Sequence, residues 1–356
     1  MSLRSSVPYP VEIVFHPAWW FHREGITFDA DFFYHPSRRV EVESVMERAL
    51  WDRWGRFGLG GKDSPPQIGA VHLAAGFLMQ EMLGCRVEYL ESAPPLVHTG
   101  ELDAPILPST DPFHSSAFKR FDSLVENLET HYRKIQGDVN WGGVLNIAMD
   151  LRGQDIFTDL YDRPQEVQSF FSGIADAINT FTKKIAARTG TTSISVNRMV
   201  RHFGEPVFLH SECSHTMIPE STYNEFLFGF DEAWNRENMP FGIHYCGTDP
   251  HRFAASFARL PHLDFLDLGW GGDVAVLRKA LPDTFFSIRL SPTELGSMSA
   301  AAITATVSRL AEESGNPHLT GFCCVNMDRN VQDETIDTLL ESVEMLRSCV
   351  PPHPLA

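Results

Sequence analysis

The sequence predicts an α/β fold, specifically a (β/α)8 TIM barrel with an N-terminal elaboration. Short apolar runs alternate along the chain with longer helical patterns, as in a parallel sheet that is covered by helices. About eight such units fit into the 356 residues, a length at which one barrel domain is common. The first apolar run, Val11–Phe15, is not followed by the glycine-rich turn of most open doubly wound sheets.

Several of the predicted strands are unbroken apolar runs, as expected for strands that are covered on both faces. Because barrel enzymes carry their catalytic groups at the carboxyl ends of the strands, polar residues that follow these runs are the candidate site residues. In chain order the predicted strands are Val11–Phe15, Val144–Ala148, Thr192–Val196, Pro206–His210, Phe241–Tyr245, Leu263–Leu268, Thr284–Leu290 and Leu319–Val325.

Amphipathic helices are predicted between the strands, where apolar residues recur with the helical period. The clearest are Ser37–Trp54, Pro164–Lys184 and Asp333–Arg347. We interpret residues 1–356 as one barrel domain, in which residues 1–140 form the N-terminal elaboration and residues 141–350 the main barrel.

Composition narrows the classes of function. The formal net charge of −17 disfavours binding to nucleic acid or to an anionic membrane, because both need a basic surface. The six cysteines do not follow the short spacings of a disulfide framework, and no long apolar run is present. We therefore expect a cytoplasmic protein with reduced thiols and no membrane association.

The triplet His244-Tyr245-Cys246 closes one of the predicted strands. Residues two apart on a strand point to the same side, so an imidazole and a thiol would project together. Nitrogen and sulfur donors suit zinc, and a third donor is available at Cys323 or Cys324 in the last predicted strand. Three protein ligands would leave zinc an open position, as in catalytic sites. The alternative is that these cysteines are ordinary core residues.

Motifs along most of the chain carry a family resemblance. They are Pro17-Ala18-Trp19 with Arg23, Met82-Leu83-Gly84-Cys85, Leu151-Arg152-Gly153 followed by Asp159-Leu160, Ile218–Phe226, and Gly242-Ile243-His244-Tyr245-Cys246-Gly247. With these motifs the chain resembles the uroporphyrinogen decarboxylase superfamily, specifically its zinc-dependent branch of methylcorrinoid:coenzyme M type methyltransferases.

The resemblance implies a TIM barrel and one zinc ion held by His244, Cys246 and a cysteine that closes the final strand. It also implies methyl transfer between a methylcorrinoid, carried by a separate small corrinoid-binding protein, and a small thiol or similar acceptor. For the third zinc ligand we favour Cys323 over Cys324, because adjacent strand residues face opposite ways and only one can point into the barrel.

Further roles are assigned within this resemblance. Glu212 follows a predicted strand and is expected to be a displaceable fourth ligand or a base toward the thiol; the alternative is an ion pair with Arg201 or another barrel arginine. Arg289 or Arg152 would hold an acidic group of the substrate, or either would be a structural partner of barrel carboxylates. His210 would orient the site, or would be a hydrogen-bonded loop residue.

One departure from the superfamily argues against porphyrin decarboxylation. Decarboxylases of this superfamily carry an arginine-rich motif early in the chain, and this chain offers only Arg23 there. An octa-anionic substrate without a basic cluster is electrostatically unfavourable. Two alternatives to methyl transfer stay open: a metal-free carboxy-lyase that acts on a small carboxylated substrate, and a non-catalytic barrel that binds the corrinoid protein.

Overall fold

A computed structural model describes residues 3–63, 65–69, 76–100, 102–133, 135, 139, 141–190 and 198–351. The strands in this part of the chain are β1 (Val11–Phe15), β2 (Arg86–Glu88), β3 (Leu96–His98), β4 (Phe208–Ser211), β5 (Phe241–Tyr245), β6 (Phe265–Leu268), β7 (Phe285–Arg289) and β8 (Thr320–Met327).

The helices flank these strands. Within the described ranges the α-helices are α1 (Pro17–Glu24), α2 (Ala30–Tyr34), α3 (Pro36–Trp54), α4 (Leu78–Met82), α5 (Ser116–Tyr132), α6 (Val144–Arg152), α7 (Asp155–Asp162), α8 (Pro164–Thr189), α9 (Glu220–Phe226), α10 (Phe228–Glu237), α11 (Ala254–Phe257), α12 (Val274–Ala280), α13 (Pro292–Leu295), α14 (Ala300–Ser314) and α15 (Asp333–Ser348). Short 3-10 helices cover Gly55–Phe57, Pro112–His114, Arg198–His202, Ser214–Met217 and Pro250–Phe253.

The central element is a parallel sheet with the strand order β1-β8-β7-β6-β5-β4, six strands in the described residues. Strands β2 and β3 form a separate antiparallel pair. Because β1 pairs with β8, with Val11 beside Phe322, the start of the chain is part of the central sheet. Every member of the sheet is parallel to its neighbours, so all the carboxyl ends lie along one edge.

Six of the predicted strands are confirmed, with bounds that differ from the prediction by no more than two residues. The predicted strand Thr192–Val196 lies outside the described residues. The sheet therefore confirms the α/β class, while closure into an eight-stranded barrel stays a prediction.

The predicted strand Val144–Ala148 is wrong, because these residues begin helix α6. Their apolar side chains also fit a buried helix, and a short apolar run does not distinguish the two structures. Glu212, more than sixty residues away along the chain, accepts a hydrogen bond from the Leu145 N–H at 3.0 Å and so stabilises the first turn of the helix.

The predicted amphipathic helices are confirmed as α3, α8 and α15. Helix α8 continues five residues beyond the predicted end at Lys184 and is terminated by Gly190, whose φ of 75° suits a residue without a Cβ atom. No helix in the described residues combines the length and the apolar character that crossing a membrane requires.

Aromatic packing fills the amino-terminal end of the sheet. Phe203 contacts Phe285, the first residue of β7, with ring centroids 4.8 Å apart, and it contacts Phe265, the first residue of β6, at 5.9 Å. The cluster described below lies toward the opposite end of the sheet, where β4 and β5 finish.

Candidate metal centre

Three side chains of types that can bind a metal converge where β4 and β5 end. The ligand atoms of Cys213, His244 and Cys246 all lie within 4.8 Å of one another. In a tetrahedral zinc site, neighbouring donor atoms are about 3.5 Å apart, so small side-chain adjustments would bring these three around one ion. Sequence reasoning predicted His244 and Cys246 as ligands here; Cys213 was not in the predicted ligand set.

The register of the sheet explains why Cys213 lies beside Cys246. Ser211 of β4 is paired with His244 of β5, and the Glu212 N–H donates to the His244 carbonyl at 2.9 Å. Each cysteine follows its register-paired residue by two positions and lies just beyond the end of its strand. Two neighbouring parallel strands therefore lead into thiols that lie close together.

Asp267 of β6 orients the imidazole. Its Oδ2 atom accepts a hydrogen bond from Nδ1 of His244, which leaves Nε2 available as a metal ligand. Burial lowers the pKa of His244, but the charge and the hydrogen bond of Asp267 outweigh it and raise the pKa to about 9. A carboxylate behind a histidine in this way is the usual support of a zinc-binding imidazole.

The two thiols at the centre differ in acidity. A hydrogen bond from Cys213, aided by the Arg289 guanidinium, lowers the pKa of Cys246 well below its usual range, although burial opposes the shift. The same hydrogen bond and burial raise the pKa of Cys213. The pair therefore favours a thiolate at Cys246 before any metal is bound, and a thiolate is the form that binds zinc.

Arg289 lies at the carboxyl end of β7 and is 4% exposed. Its Nε and Nη1 atoms have no hydrogen-bond partner in the described residues. Burial lowers the pKa of Arg289, but Cys246, Asp267 and Cys323 overcome this effect and raise it. The guanidinium is therefore a buried cation beside the cluster with unused donors, as expected of an anion-binding group.

Cys323 and Cys324 lie on β8, outside the three-residue cluster. The Ser287 hydroxyl donates to Cys323 Sγ at 3.2 Å, and this thiol donates to Asp267 Oδ1 at 3.5 Å. Cys323 therefore points to the side of the sheet that carries Asp267, and Asp267 links it to His244. Burial raises the pKa of both thiols, that of Cys324 to about 12 and that of Cys323 well above its usual range, so acidity does not distinguish the two.

Glu212 is fully buried and its carboxylate is held by backbone N–H groups. It accepts hydrogen bonds from Leu145 at 3.0 Å and from Ser214 at 3.2 Å. Arg201, the predicted alternative partner, instead donates to Gln67 at 3.1 Å. Burial raises the pKa of Glu212 to about 7, although the charge of His210 and these N–H groups oppose the rise.

His210 is buried beside the centre. Its Nδ1 atom donates to Asp231 at 2.6 Å, the Tyr223 hydroxyl donates to the same carboxylate at 2.7 Å, and the Trp141 ring stacks on the imidazole. The His210 Nε2 atom lies 3.9 Å from Glu212 Oε2. His210 is thus held by a carboxylate in the same way as His244 and faces Glu212.

Arg152 is engaged elsewhere. At the end of α6 it donates to Asp159 at 2.7 Å, to Asp155 at 3.0 Å and to the Leu102 carbonyl at 2.8 Å. These contacts fit the structural role that the sequence left open for it. Of the two arginines named for substrate binding, Arg289 alone is placed against the metal cluster.

Sequence reasoning missed Asp267 and Asp231 as the residues that orient the two histidines. Asp267 had a visible signal, since it lies in the apolar run Phe265–Leu268, where a buried charge needs a partner. Asp231 lies on helix α10 and had no such signal. For Cys213, the available signal was its position just after a predicted strand.

Solved structures of similar fold were found. A methyltransferase from Methanosarcina mazei aligns with a TM-score of 0.65 and 13% identity, over 95% of this chain and 94% of that one. A B12-independent methionine synthase from Shewanella sp. W3-18-1 aligns with a TM-score of 0.52 and 9% identity, over 98% and 100%. A putative vitamin-B12 independent methionine synthase from Listeria monocytogenes aligns with a TM-score of 0.51 and 13% identity, over 97% and 99%.

These likenesses confirm the predicted resemblance at the level of the fold. No protein-family model matches the sequence, and no curated protein matches it. The chain shares its architecture, over nearly the whole of its length, with proteins named as methyltransferases and methionine synthases. Its chemistry must be argued from its own residues.

Proposed function

We propose that this protein is a zinc-dependent methyltransferase that moves a methyl group between a protein-bound methylcorrinoid and a small thiol or similar acceptor. The observation that carries the proposal is the convergence of Cys213, His244 and Cys246 at the ends of two neighbouring strands. His244 and Cys246 would hold the ion, with Cys323 as the predicted third ligand. The donor set fits the metal, because zinc accepts both imidazole nitrogen and thiolate sulfur.

The chemistry that bound zinc supplies is Lewis acidity, which converts a thiol with a pKa of about 8.5 into a nucleophilic thiolate at neutral pH. The protein's own residues prepare the site for this. Asp267 holds Nε2 of His244 toward the cluster, and Arg289 supplies a buried positive charge beside the sulfurs. An acidic group on a small thiol substrate would bind the unused donors of Arg289.

Glu212 is the residue proposed to take the thiol proton. Its pKa of about 7 divides its population between the carboxylate and the acid near neutrality, which suits a general base. His210, 3.9 Å away, would then stabilise the charge that Glu212 carries. Glu212 would thus have two roles. Its carboxylate anchors the start of α6, and it would accept the proton of the substrate thiol.

The methyl donor is assigned from a sequence motif. Two of the structures that share the fold are named as B12-independent enzymes. The corrinoid and its small partner protein are proposed because the motif His244-Tyr245-Cys246 resembles that of the corrinoid-dependent methyltransferases. The experiment must therefore test the thiol chemistry and the methyl donor separately.

Two measurements test the proposal. Protein purified after zinc-replete expression should contain about one zinc per chain, and a chelator should remove both metal and activity. Methylcobalamin should lose its cobalt–methyl absorption when enzyme and a thiol are added together, and the methyl thioether should form in equal amount. Zinc-free protein from the same expression would overturn the proposal. Thioether formation from a methylpterin but not from methylcobalamin would overturn the corrinoid part alone.

A further inference from the structure

Cys213 is not part of the ligand set that the resemblance implies, yet its position matches that of Cys246. Both cysteines follow register-paired residues of β4 and β5, and their ligand atoms lie within 4.8 Å together with that of His244. We infer that Cys213 is itself a metal ligand, which supplies zinc with a sulfur from β4 in addition to the two donors from β5. The inference rests on the proposed function in assuming that the chain binds zinc.

The contacts of the three candidate sulfurs support the assignment. The Cys213 sulfur lies within 4.8 Å of the ligand atoms of both Cys246 and His244, the two assigned donors. Cys323 is instead occupied by Ser287 and Asp267. The backbone also fixes Cys213, because the N–H groups on either side of it are bonded: Glu212 donates to the His244 carbonyl at 2.9 Å, and Ser214 donates to Asn146 at 2.8 Å.

A ligand at Cys213 would change the character of the site. His244, Cys246, Cys213 and Cys323 together would fill four positions, as in closed zinc sites, whereas the predicted set of three leaves one position open. An incoming thiol would then have to take the place of a protein sulfur. The protein sulfur that binds the ion more weakly would be the one that the incoming thiol displaces.

The test compares serine variants of the full chain. Cys246→Ser measures the loss of an assigned ligand, and Cys349→Ser, an exposed cysteine after α15, is the matched control. For Cys213→Ser we expect at least a tenfold weaker zinc dissociation constant in chelator competition. We also expect the thiolate-to-cobalt charge-transfer band of the Co²⁺-loaded protein to lose the intensity that one thiolate ligand contributes. Cys349→Ser should match wild type in both measurements.

A second variant keeps the inference testable if Cys213→Ser does not fold. X-ray absorption of zinc-loaded Cys323→Ser should show two sulfur ligands, from Cys213 and Cys246; one sulfur would overturn the inference. Wild-type behaviour of folded Cys213→Ser in both metal measurements would also overturn it. If wild type itself binds no zinc, the proposed function fails along with the inference. If Cys246→Ser loses zinc and Cys213→Ser does not, the inference alone fails.

Discussion

Asp267 of β6 accepts a hydrogen bond from Nδ1 of His244 on the neighbouring strand β5, and its other oxygen accepts one from Cys323 of β8. The two strands are in register at this point, with His244 paired to Asp267. One carboxylate therefore fixes the imidazole and contacts the predicted remote sulfur. This arrangement makes Asp267 the positioning residue on which the geometry of the centre depends.

The substitution Asp267→Asn tests this role. It should weaken zinc binding by about 10- to 100-fold, because the amide supports the imidazole without a charge. Chelator competition measures the dissociation constant. The matched control is Asp273→Asn, since Asp273 caps α12 by accepting from the Val276 N–H at 2.9 Å and asparagine caps a helix equally well. Unchanged zinc binding in Asp267→Asn would contradict the role of Asp267 in positioning His244.

Arg289→Met should change substrate preference. Hydrogen bonds to a charged group contribute about 1.5–3 kcal/mol, so kcat/KM for mercaptoethanesulfonate should fall about 10- to 100-fold relative to that for neutral 2-mercaptoethanol. The control is Arg152→Met, which breaks ion pairs with Asp155 and Asp159 away from the cluster. It should lower stability and leave the ratio unchanged. Equal loss with both thiols in Arg289→Met would contradict the anion-binding role.

Variants of Glu212 separate its structural role from its chemical one. Glu212→Gln keeps an oxygen for the N–H of Leu145, so fold and zinc content should be retained while kcat falls about 100-fold through loss of the base. Glu212→Ala should in addition lose about 1 kcal/mol in the free energy of unfolding, because the first turn of α6 loses its acceptor. Zinc loss in Glu212→Gln would instead identify Glu212 as a metal ligand.

The pair His210–Asp231 predicts a pH dependence of stability. Burial lowers the pKa of His210, but the charge and hydrogen bond of Asp231 raise it above its ordinary value of 6.5. The stabilisation is therefore complete below pH 6.5 and is lost as the pH rises through the raised pKa. The pKa of Asp231 is lowered, so Asp231 stays ionised throughout this range.

Urea unfolding at pH 6 and pH 9 measures this effect. Asp231→Asn should lower the free energy of unfolding at pH 6 by about 3 kcal/mol, because a buried ion pair loses one partner. Its stability should then fall less between the two pH values than that of wild type. Asp273→Asn, with an exposed cap, should keep the wild-type dependence. If the free energy of unfolding depends on pH in the same way in Asp231→Asn and in wild type, the ionisation of His210 does not contribute to stability.

The sequence predicted the strands best where short, mainly apolar runs are buried on both faces of the sheet. Val11–Phe15 and Phe241–Tyr245 have the predicted bounds. Val144–Ala148 failed because the same apolar composition serves a buried helix, and the acceptor that stabilises the first turn of that helix, Glu212, is remote along the chain. Local pattern alone does not contain that contact.

The sequence by itself determined the α/β class, the main helices, and the pairing of an imidazole with a thiol in His244-Tyr245-Cys246, because these depend on periods of two and 3.6 residues within one segment. Only the tertiary structure decided that Cys213 lies beside Cys246, that Asp267 holds His244, and that Arg289 rather than Arg152 faces the cluster. Those relationships depend on which strands are neighbours and in what register, and the free energy that sets them comes from contacts between distant segments.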